Sequence, residues 1–237
     1  QETVWLRDAG RDDDQRLPLD PARRWVFPAW SPDGTALLLT RYEGLHTTVH
    51  RHELASARTT ELTALGEQAF GAQYARGGAE IVYGVRMEPA SMSLWRIAAT
   101  LDAAPVPMVT DEPVVRFNAD GERVVYQRGD APGLVVLSLT DGARTEVLPQ
   151  IGAAQRWIWR MVGDAVWYVD DSGEVATLRR LDLATGTDFA VATGVEPDAV
   201  APALDVARDG SVALFARVDE VSIDVMLAPR AFEAARR

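Results

Sequence analysis

The sequence contains no cysteine. That absence excludes disulfides, thiolate metal ligands and a cysteine nucleophile, and it is compatible with an exported compartment. Histidine is nearly as scarce: His46, His50 and His52 are the only three, and all lie in "HTTVHRH". A nucleophile–His–acid set would have to be built around that one stretch, and no serine is marked out as its partner. Gly-x-Ser-x-Gly, a P-loop and a Rossmann fingerprint are all missing. No apolar run approaches the ~20 residues that span a bilayer, and no signal peptide is visible. Basic residues are not in excess: 24 Lys and Arg stand against 35 Asp and Glu, for a net charge of −11. A phosphate-binding surface for nucleic acid needs the opposite balance. Convincing helical periodicity is absent too, apart from the terminal "RAFEAARR".

What is present is a repeat. The chain has 237 residues, 47% of them hydrophobic, which is ample material for a core. Aligning the turns on Gly34, Gly78, Gly121, Gly163 and Gly210 gives spacings of 44, 43, 42 and 47 residues. Most of these turns pair Asp or Gly with Gly, a composition that supplies the positive φ of tight hairpins. After them come "ALLLT", "EIVYG", "RVVYQ", "AVWYV" and "VALFA", runs rich in β-branched and aromatic residues. A second set of turns falls near Gly10, Ser56, Leu101, Gly142 and Gly186, at spacings of 46, 45, 41 and 44. Each unit therefore holds four short strands. Four strands in a period of about 40–50 residues predict an all-β fold, a β-propeller with four-stranded antiparallel blades. Four residues before the aligned glycine stand Trp30, Tyr74, Phe117, Trp159 and Val206. This innermost-strand position is expected to pack between blades, because aromatic rings bury large areas.

"FPAWSPDGTALLLTRYEG" resembles the TolB-type, WD-like propeller repeat: an aromatic residue, Ser-Pro-Asp-Gly, a β run, then Arg, an acid and Gly. The match is carried by Trp30, Ser31, Pro32, Asp33, Gly34, Arg41, Glu43 and Gly44. "RFNADGERVVYQRGD" keeps Phe117, Asp120, Gly121 and Arg128, and "DVARDGSVALFARVD" keeps Asp209, Gly210 and Arg217. The unit around Gly163 has lost most of the motif. The endings "WRMVGDAVWYVDD" and "DGSVALFARVDEVSIDVMLAPR" also resemble the periplasmic propellers of CadC-type winged-helix transcriptional regulators. That resemblance implies a sensor placed after a membrane helix and a DNA-binding domain. Similar propellers gate the active sites of prolyl-oligopeptidase-type peptidases, and others are TolB-like periplasmic interaction modules.

Arginine recurs seven or eight residues after the aligned glycine with an acid two further on: Arg41/Glu43, Arg86/Glu88, Arg128/Asp130 and Arg217/Asp219. These are read as ion pairs that fix loops, since scaffold features repeat and sites do not; the alternative is a ring that grips an anion bidentately. His46, His50 and His52 share one face of a strand. They are read as a solvent-facing cluster, with a metal site as the alternative. The acidic loops at Arg11–Arg16 and Asp170–Gly173 lack the register of a calcium loop.

The expectation is one propeller domain over residues 1–237: a half-blade at 1–24, blades at about 25–65, 66–109, 110–150 and 151–193, an incomplete last blade at 194–230 and a tail at 231–237. About five blades are visible, and the stretch reads as the C-terminal part of a larger propeller rather than a closed five-bladed ring. The function expected is non-catalytic recognition of a protein or small ligand, in an exported compartment, with no cofactor, no metal, no nucleic acid and no membrane contact by this chain. The candidate binding residues lie on the inter-blade connections and second-to-third-strand loops: Arg24, Trp25, Arg41, Tyr42, Arg86, Arg128, Arg156, Trp157 and Arg217.

Overall fold

The Ser31-Pro32-Asp33-Gly34 turn shows how each repeat begins. Asp33 Oδ1 accepts from the Ser31 hydroxyl at 2.6 Å and from the Thr35 amide at 3.1 Å. These bonds stabilise the ionised carboxylate and hold its pKa down to about 2. The Gly34 amide donates back to the Ser31 carbonyl, and Gly34 has φ +71°, where a side chain would be strained. The four other aligned glycines are also left-handed, with φ +97° at Gly78, +58° at Gly121, +56° at Gly163 and +71° at Gly210. The repeat alignment therefore picked out a real conformational constraint.

The computed structural model describes residues 4–8, 13–64, 68–87, 91–100, 103–148, 158–195, 204–207, 209–219 and 222–227; at 7–8, 13–14, 215–219 and 222–227 it describes the backbone alone. Strands β1 (Trp5–Asp8) and β2 (Asp13–Arg16) pair as a two-stranded sheet. Blade 1 is β3 (Arg24–Trp30), β4 (Ala36–Glu43), β5 (His46–Glu53) and β6 (Thr59–Glu61), in that spatial order. Blade 2 comprises β7 (Ala69–Ala75), β8 (Glu80–Met87), β9 (Ser91–Ala98) and the first part of β10 (Val106–Asp120). Blade 3 takes the rest of β10 with β11 (Arg123–Arg128), β12 (Leu134–Ser138) and β13 (Arg144–Leu148), so β7 to β13 form one seven-stranded sheet. Blade 4 is β14 (Trp159–Val162), β15 (Ala165–Asp170), β16 (Thr177–Asp182) and β17 (Asp188–Thr193). A last sheet holds β18 (Leu204–Val206), β19 (Ala213–Asp219) and β20 (Ser222–Leu227). Every strand pair given a register is antiparallel, which the short hairpin connections of two to seven residues permit. The chain divides into two compact units, Gln1–Val115 and Arg116–Arg237, with the division inside β10.

In the first unit the core lies between blades 1 and 2. Leu38 and Val49 of blade 1 pack on Tyr74, Ile81, Tyr83 and Ile97 of blade 2. In the second unit, Val125, Leu134 and Leu148 of blade 3 pack on Trp159, Met161, Val166, Tyr168 and Leu181 of blade 4. A further cluster joins Trp167, Val169 and Leu178 to Leu204, Val206 and Ala213 of the last sheet. Polar side chains tie blades 3 and 4 together as well: Asn118 Oδ1 accepts from the Met161 amide at 2.8 Å, and Asp120 Oδ2 from the Gly163 amide at 2.7 Å. The turn aspartate of one repeat thus caps the turn of the next.

The expected burial holds at four of the five repeat positions. Trp159 is fully buried, and Tyr74, Phe117 and Val206 are 7–9% exposed. Trp30 is the exception at 55% exposed. The reason is local. Tyr74 packs on the second and third strands of the blade before it. Before blade 1, the described residues offer Val4 and Leu6 with Leu17 and Leu19, and these reach Trp25, Leu37 and Leu39.

Candidate binding surface

Two pairs of the sequence-selected residues meet on blade 1. The β3–β4 register sets Arg24 opposite Tyr42 and Trp25 opposite Arg41. The Arg24 guanidinium lies over the Tyr42 ring, 5.0 Å from its centroid, an arrangement favoured by the ring's negative face. Trp25 turns inward instead. It is 6% exposed, its indole N–H donates to the Asp20 carbonyl at 3.1 Å, and its ring meets the edge of His50 at 5.2 Å. Trp25 is a buried support, not a ligand contact, because Leu17, Leu37 and Leu39 enclose it.

Arg41 pairs with Glu43 at 3.4 Å, as the spacing predicts, and also with Glu61 at 3.2 Å. Arg23 forms a second ion pair with Glu43. Arg128 pairs with Glu146 at 3.2 Å, where the spacing had pointed to Asp130. Glu61 and Glu146 both stand on the fourth strand of their blades. The guanidinium on strand two therefore crosses strand three to reach a glutamate on strand four, in blade 1 and again in blade 3. The sequence has no lysine, so each such cation is a planar fork suited to that reach. Sequence spacing missed Glu61 because it lies 20 residues from Arg41. The strand-four glutamate two or so positions into each short polar strand was the available signal.

Arg86 is exposed near the end of β8, opposite Met92. Glu88 lies outside the described residues. So do Arg156 and Trp157, two of the candidate binding residues. Arg217 sits on β19 opposite Asp224, with its backbone alone described.

The histidine reading needs correction. His50 and His52 are 3% and 1% exposed, not solvent-facing. They lie opposite Leu39 and Leu37, on the side of the blade covered by Trp25 and Leu17. Burial, then the neighbouring Arg41 charge, holds His50 down to about 4. Thr48 Oγ1 and His50 Nε2 are 2.8 Å apart, and the same nitrogen is 3.7 Å from Glu61. A relay would need the acid and the hydroxyl on opposite ring nitrogens, and an accessible hydroxyl; Thr48 is 1% exposed. Among the described residues, no group of three or more His, Asp or Glu side chains is placed to hold a metal ion.

Sequence reasoning also missed Arg116. Its guanidinium lies 5.3 Å from the Trp159 ring centroid and donates to the Trp159 carbonyl at 3.0 Å. Burial, then the charge of Arg160, lowers it to about 10. Arg160 in turn pairs with Asp205 at 3.2 Å. A shallow recess of about 260 Å³ in the first unit is lined by Glu61, Leu62, Thr63, Ile97 and Thr100.

No protein-family model and no curated protein matches the sequence. Solved structures do. Over 97% of its length the chain is similar to TolB from Acinetobacter baumannii, with 13% identity and a TM-score of 0.72, spanning 57% of that protein. It is similar to a putative TolB from Agrobacterium tumefaciens over 97% of its length, with 14% identity and a TM-score of 0.71, spanning 85% of that chain. A prolyl endopeptidase matches over 97% of the chain at 12% identity and a TM-score of 0.66, but the chain spans 38% of it. Identities this low establish the fold, which is a TolB-type β-propeller.

Proposed function

We propose that this chain is a non-catalytic recognition propeller, exported, serving as the sensory portion of a membrane-bound bacterial transcriptional regulator and binding a protein or small ligand at its strand-two-to-three loops. One observation carries the non-catalytic part. At His50 the Thr48 hydroxyl and the Glu61 carboxylate approach the same ring nitrogen and the ring is buried, and at His52, whose Nδ1 lies 2.8 Å from the Thr59 hydroxyl, the ring is buried as well, so neither imidazole is placed to relay a proton to an incoming substrate. The loop-end residues, by contrast, offer partly exposed guanidinium and aromatic groups, with Arg24 over Tyr42 and Arg86 exposed. Ion pairs at such a surface are worth only about 0–1 kcal/mol, so an incoming carboxylate or phosphate can displace Glu43 or Glu61 at low cost. The cysteine-free composition and the TolB-type fold support export. The regulator role is supported by the resemblance of the last two repeats to CadC-type propellers.

The likeness to a prolyl endopeptidase favours a second reading, a propeller that gates a peptidase domain. The parent reading frame separates the two. A winged helix and one membrane helix ahead of the propeller are expected; an α/β-hydrolase domain beside it would overturn the sensor role. The purified chain is also expected to leave chromogenic peptides and esters intact. Turnover that co-purifies with the chain and is lost in His50→Gln would defeat the non-catalytic reading.

A further inference from the structure

β14 is the innermost strand of blade 4 and stands at the edge of its sheet, so among the described residues one row of its backbone groups meets no neighbouring strand. The Val169 amide, which donates to the Ile158 carbonyl at 3.1 Å, fixes which row that is. The backbone of Ile158 turns toward β15, and that of Trp159, Met161 and Gly163 turns the other way. Blade 3 supplies side chains to this row. Arg116, Asn118 and Asp120 alternate along β10 and bind the Trp159 carbonyl, the Met161 amide and the Gly163 amide at 3.0, 2.8 and 2.7 Å. Three side chains thus take the place of a strand. The same row immobilises Arg116, whose guanidinium is held by that carbonyl and by the face of the Trp159 ring.

A second guanidinium stands at the same edge. Arg160 follows Trp159 on β14, and strand alternation puts it on the opposite flank. There its Nε lies 3.2 Å from Asp205 Oδ1 on β18, the first strand of the last sheet. The two cations feel one another: burial, then the Arg160 charge, holds Arg116 down to about 10. Scaffolding alone does not call for this. A neutral amide donor would satisfy the Trp159 carbonyl without bringing a second positive charge to the edge. Asp205 shows what the pair accepts. Its side chain is 67% exposed and that of Arg160 39%, so the ion pair contributes little and is displaced at low cost. Asp205 Oδ1 also accepts from the Val206 amide at 3.0 Å, a partner it keeps when Arg160 lets go.

We propose that Arg116 and Arg160 form a binding site for a small organic anion carrying carboxylate groups, at the innermost strands of blades 3 and 4, with Asp205 as the internal carboxylate that the ligand displaces. Arg116 is the fixed cation and Arg160 the one that changes partner. A ligand carboxylate between them relieves the repulsion that the strands impose and meets planar forks suited to it. The site is separate from the strand-two-to-three loops and stands or falls independently of recognition there.

Succinate is the probe, titrated into the ¹⁵N-labelled protein at constant ionic strength with sodium chloride as the balance. The Nε–Hε resonances of Arg116 and Arg160 are expected to shift saturably with succinate and not with chloride. Asp205→Asn removes the internal competitor while leaving an amide oxygen for the Val206 N–H, and is expected to tighten succinate binding roughly threefold or more. Arg160→Gln is expected to weaken it at least ~tenfold, as loss of a charged hydrogen bond does. Arg86→Gln, at the loop face, is expected to leave it unchanged. Should Arg160→Gln fail to fold, Asp205→Asn carries the test alone. Absence of a saturable shift would overturn the proposal, as would succinate binding that Asp205→Asn leaves unaltered, since the anion would then sit elsewhere. Inorganic phosphate binding more tightly than succinate would overturn the carboxylate assignment.

Discussion

Trp30 and Trp159 hold the same place in the repeat, four residues before the turn glycine, yet one is 55% exposed and the other fully buried. Around Trp159 the preceding blade contributes Val125, Leu134 and Leu148, and the carbonyl of Trp159 accepts from Arg116. Around Trp30, the described residues of β1, β2 and the segment after them gather on Trp25, Leu37 and Leu39 instead and leave the indole open. A repeat position therefore prescribes an interface only when its neighbour packs on it: the sequence motif is local, whereas burial is a property of the pair of blades. The largest expected effect tests this contrast. Trp159→Ala should cost about 3–5 kcal/mol, as removal of a fully buried indole does. Trp30→Ala in the same chain should cost under ~1 kcal/mol. Urea unfolding of the two variants measures both. Equal losses would mean that Trp30 is covered in solution and that the contrast between the two faces is false.

The same contrast explains which parts of the molecule could be read from sequence. Turn glycines are dictated by their own backbone, so Gly34, Gly78, Gly121, Gly163 and Gly210 were legible one by one, and with them the propeller. Strand runs such as "ALLLT" were legible because burial on both faces demands continuous apolar side chains. Trp30 misled because its burial depends on residues outside its own repeat. His50 and His52 misled in the opposite direction. Three histidines clustered on one face of a polar stretch read as solvent-facing, but the indole of Trp25, some 25 residues earlier, covers His50. Arg41 and Arg128 were found by periodicity, while their fourth-strand partners were not, since cross-strand neighbours across an intervening strand have no fixed sequence separation. Of the nine candidate binding residues, Arg24 and Tyr42 are brought into contact and Arg86 is exposed; Trp25 belongs to the core.

His50 offers a middle-sized test of how well this side of blade 1 is covered. It faces Trp25, Thr48, Arg41 and Glu61, and burial with the Arg41 charge depresses it from 6.5 to about 4. The neutral ring is thus the native form, and below pH 6.5 the unfolded chain binds a proton that the folded chain does not. This contribution to stability is fully present above pH 6.5, declines as pH falls and is exhausted near pH 4. The loss between pH 7.5 and 5 should be at most about 2 kcal/mol, less to the extent that water reaches the ring. His50→Gln should remove that part of the slope in a urea-midpoint series against pH. A wild-type slope indistinguishable from that of His50→Gln would show that His50 titrates normally, and that Trp25, Leu17 and the residues around them cover this side of blade 1 only loosely.

The smallest expected effect compares the two strand-two-to-four ion pairs. Arg41–Glu61 and Arg128–Glu146 have the same 3.2 Å separation, and their side chains are 21–25% exposed on the arginine and 40–46% on the glutamate. They differ in company. Arg41 also contacts Glu43, which Arg23 shares, so losing Glu61 leaves its charge partly compensated. A double-mutant cycle with Arg128→Gln and Glu146→Gln should give a coupling of about 0.5 kcal/mol, and the blade 1 cycle with Arg41→Gln and Glu61→Gln roughly half that or less. Both should shrink as salt rises to 1 M, where charges are screened within about 3 Å. The ordering matters more than the size. If the blade 1 coupling is the larger, Glu61 is fixed by more than Arg41, and the 3.7 Å approach to His50 becomes its main anchor. Displacement of Glu61 by an anionic ligand would then also disturb the buried histidine, so binding at the loop face would register in the His50 titration. If the two couplings fall in the expected order, the arginines act as separate latches on a rigid scaffold, and an anion could exchange for Glu61 without moving the core beneath it.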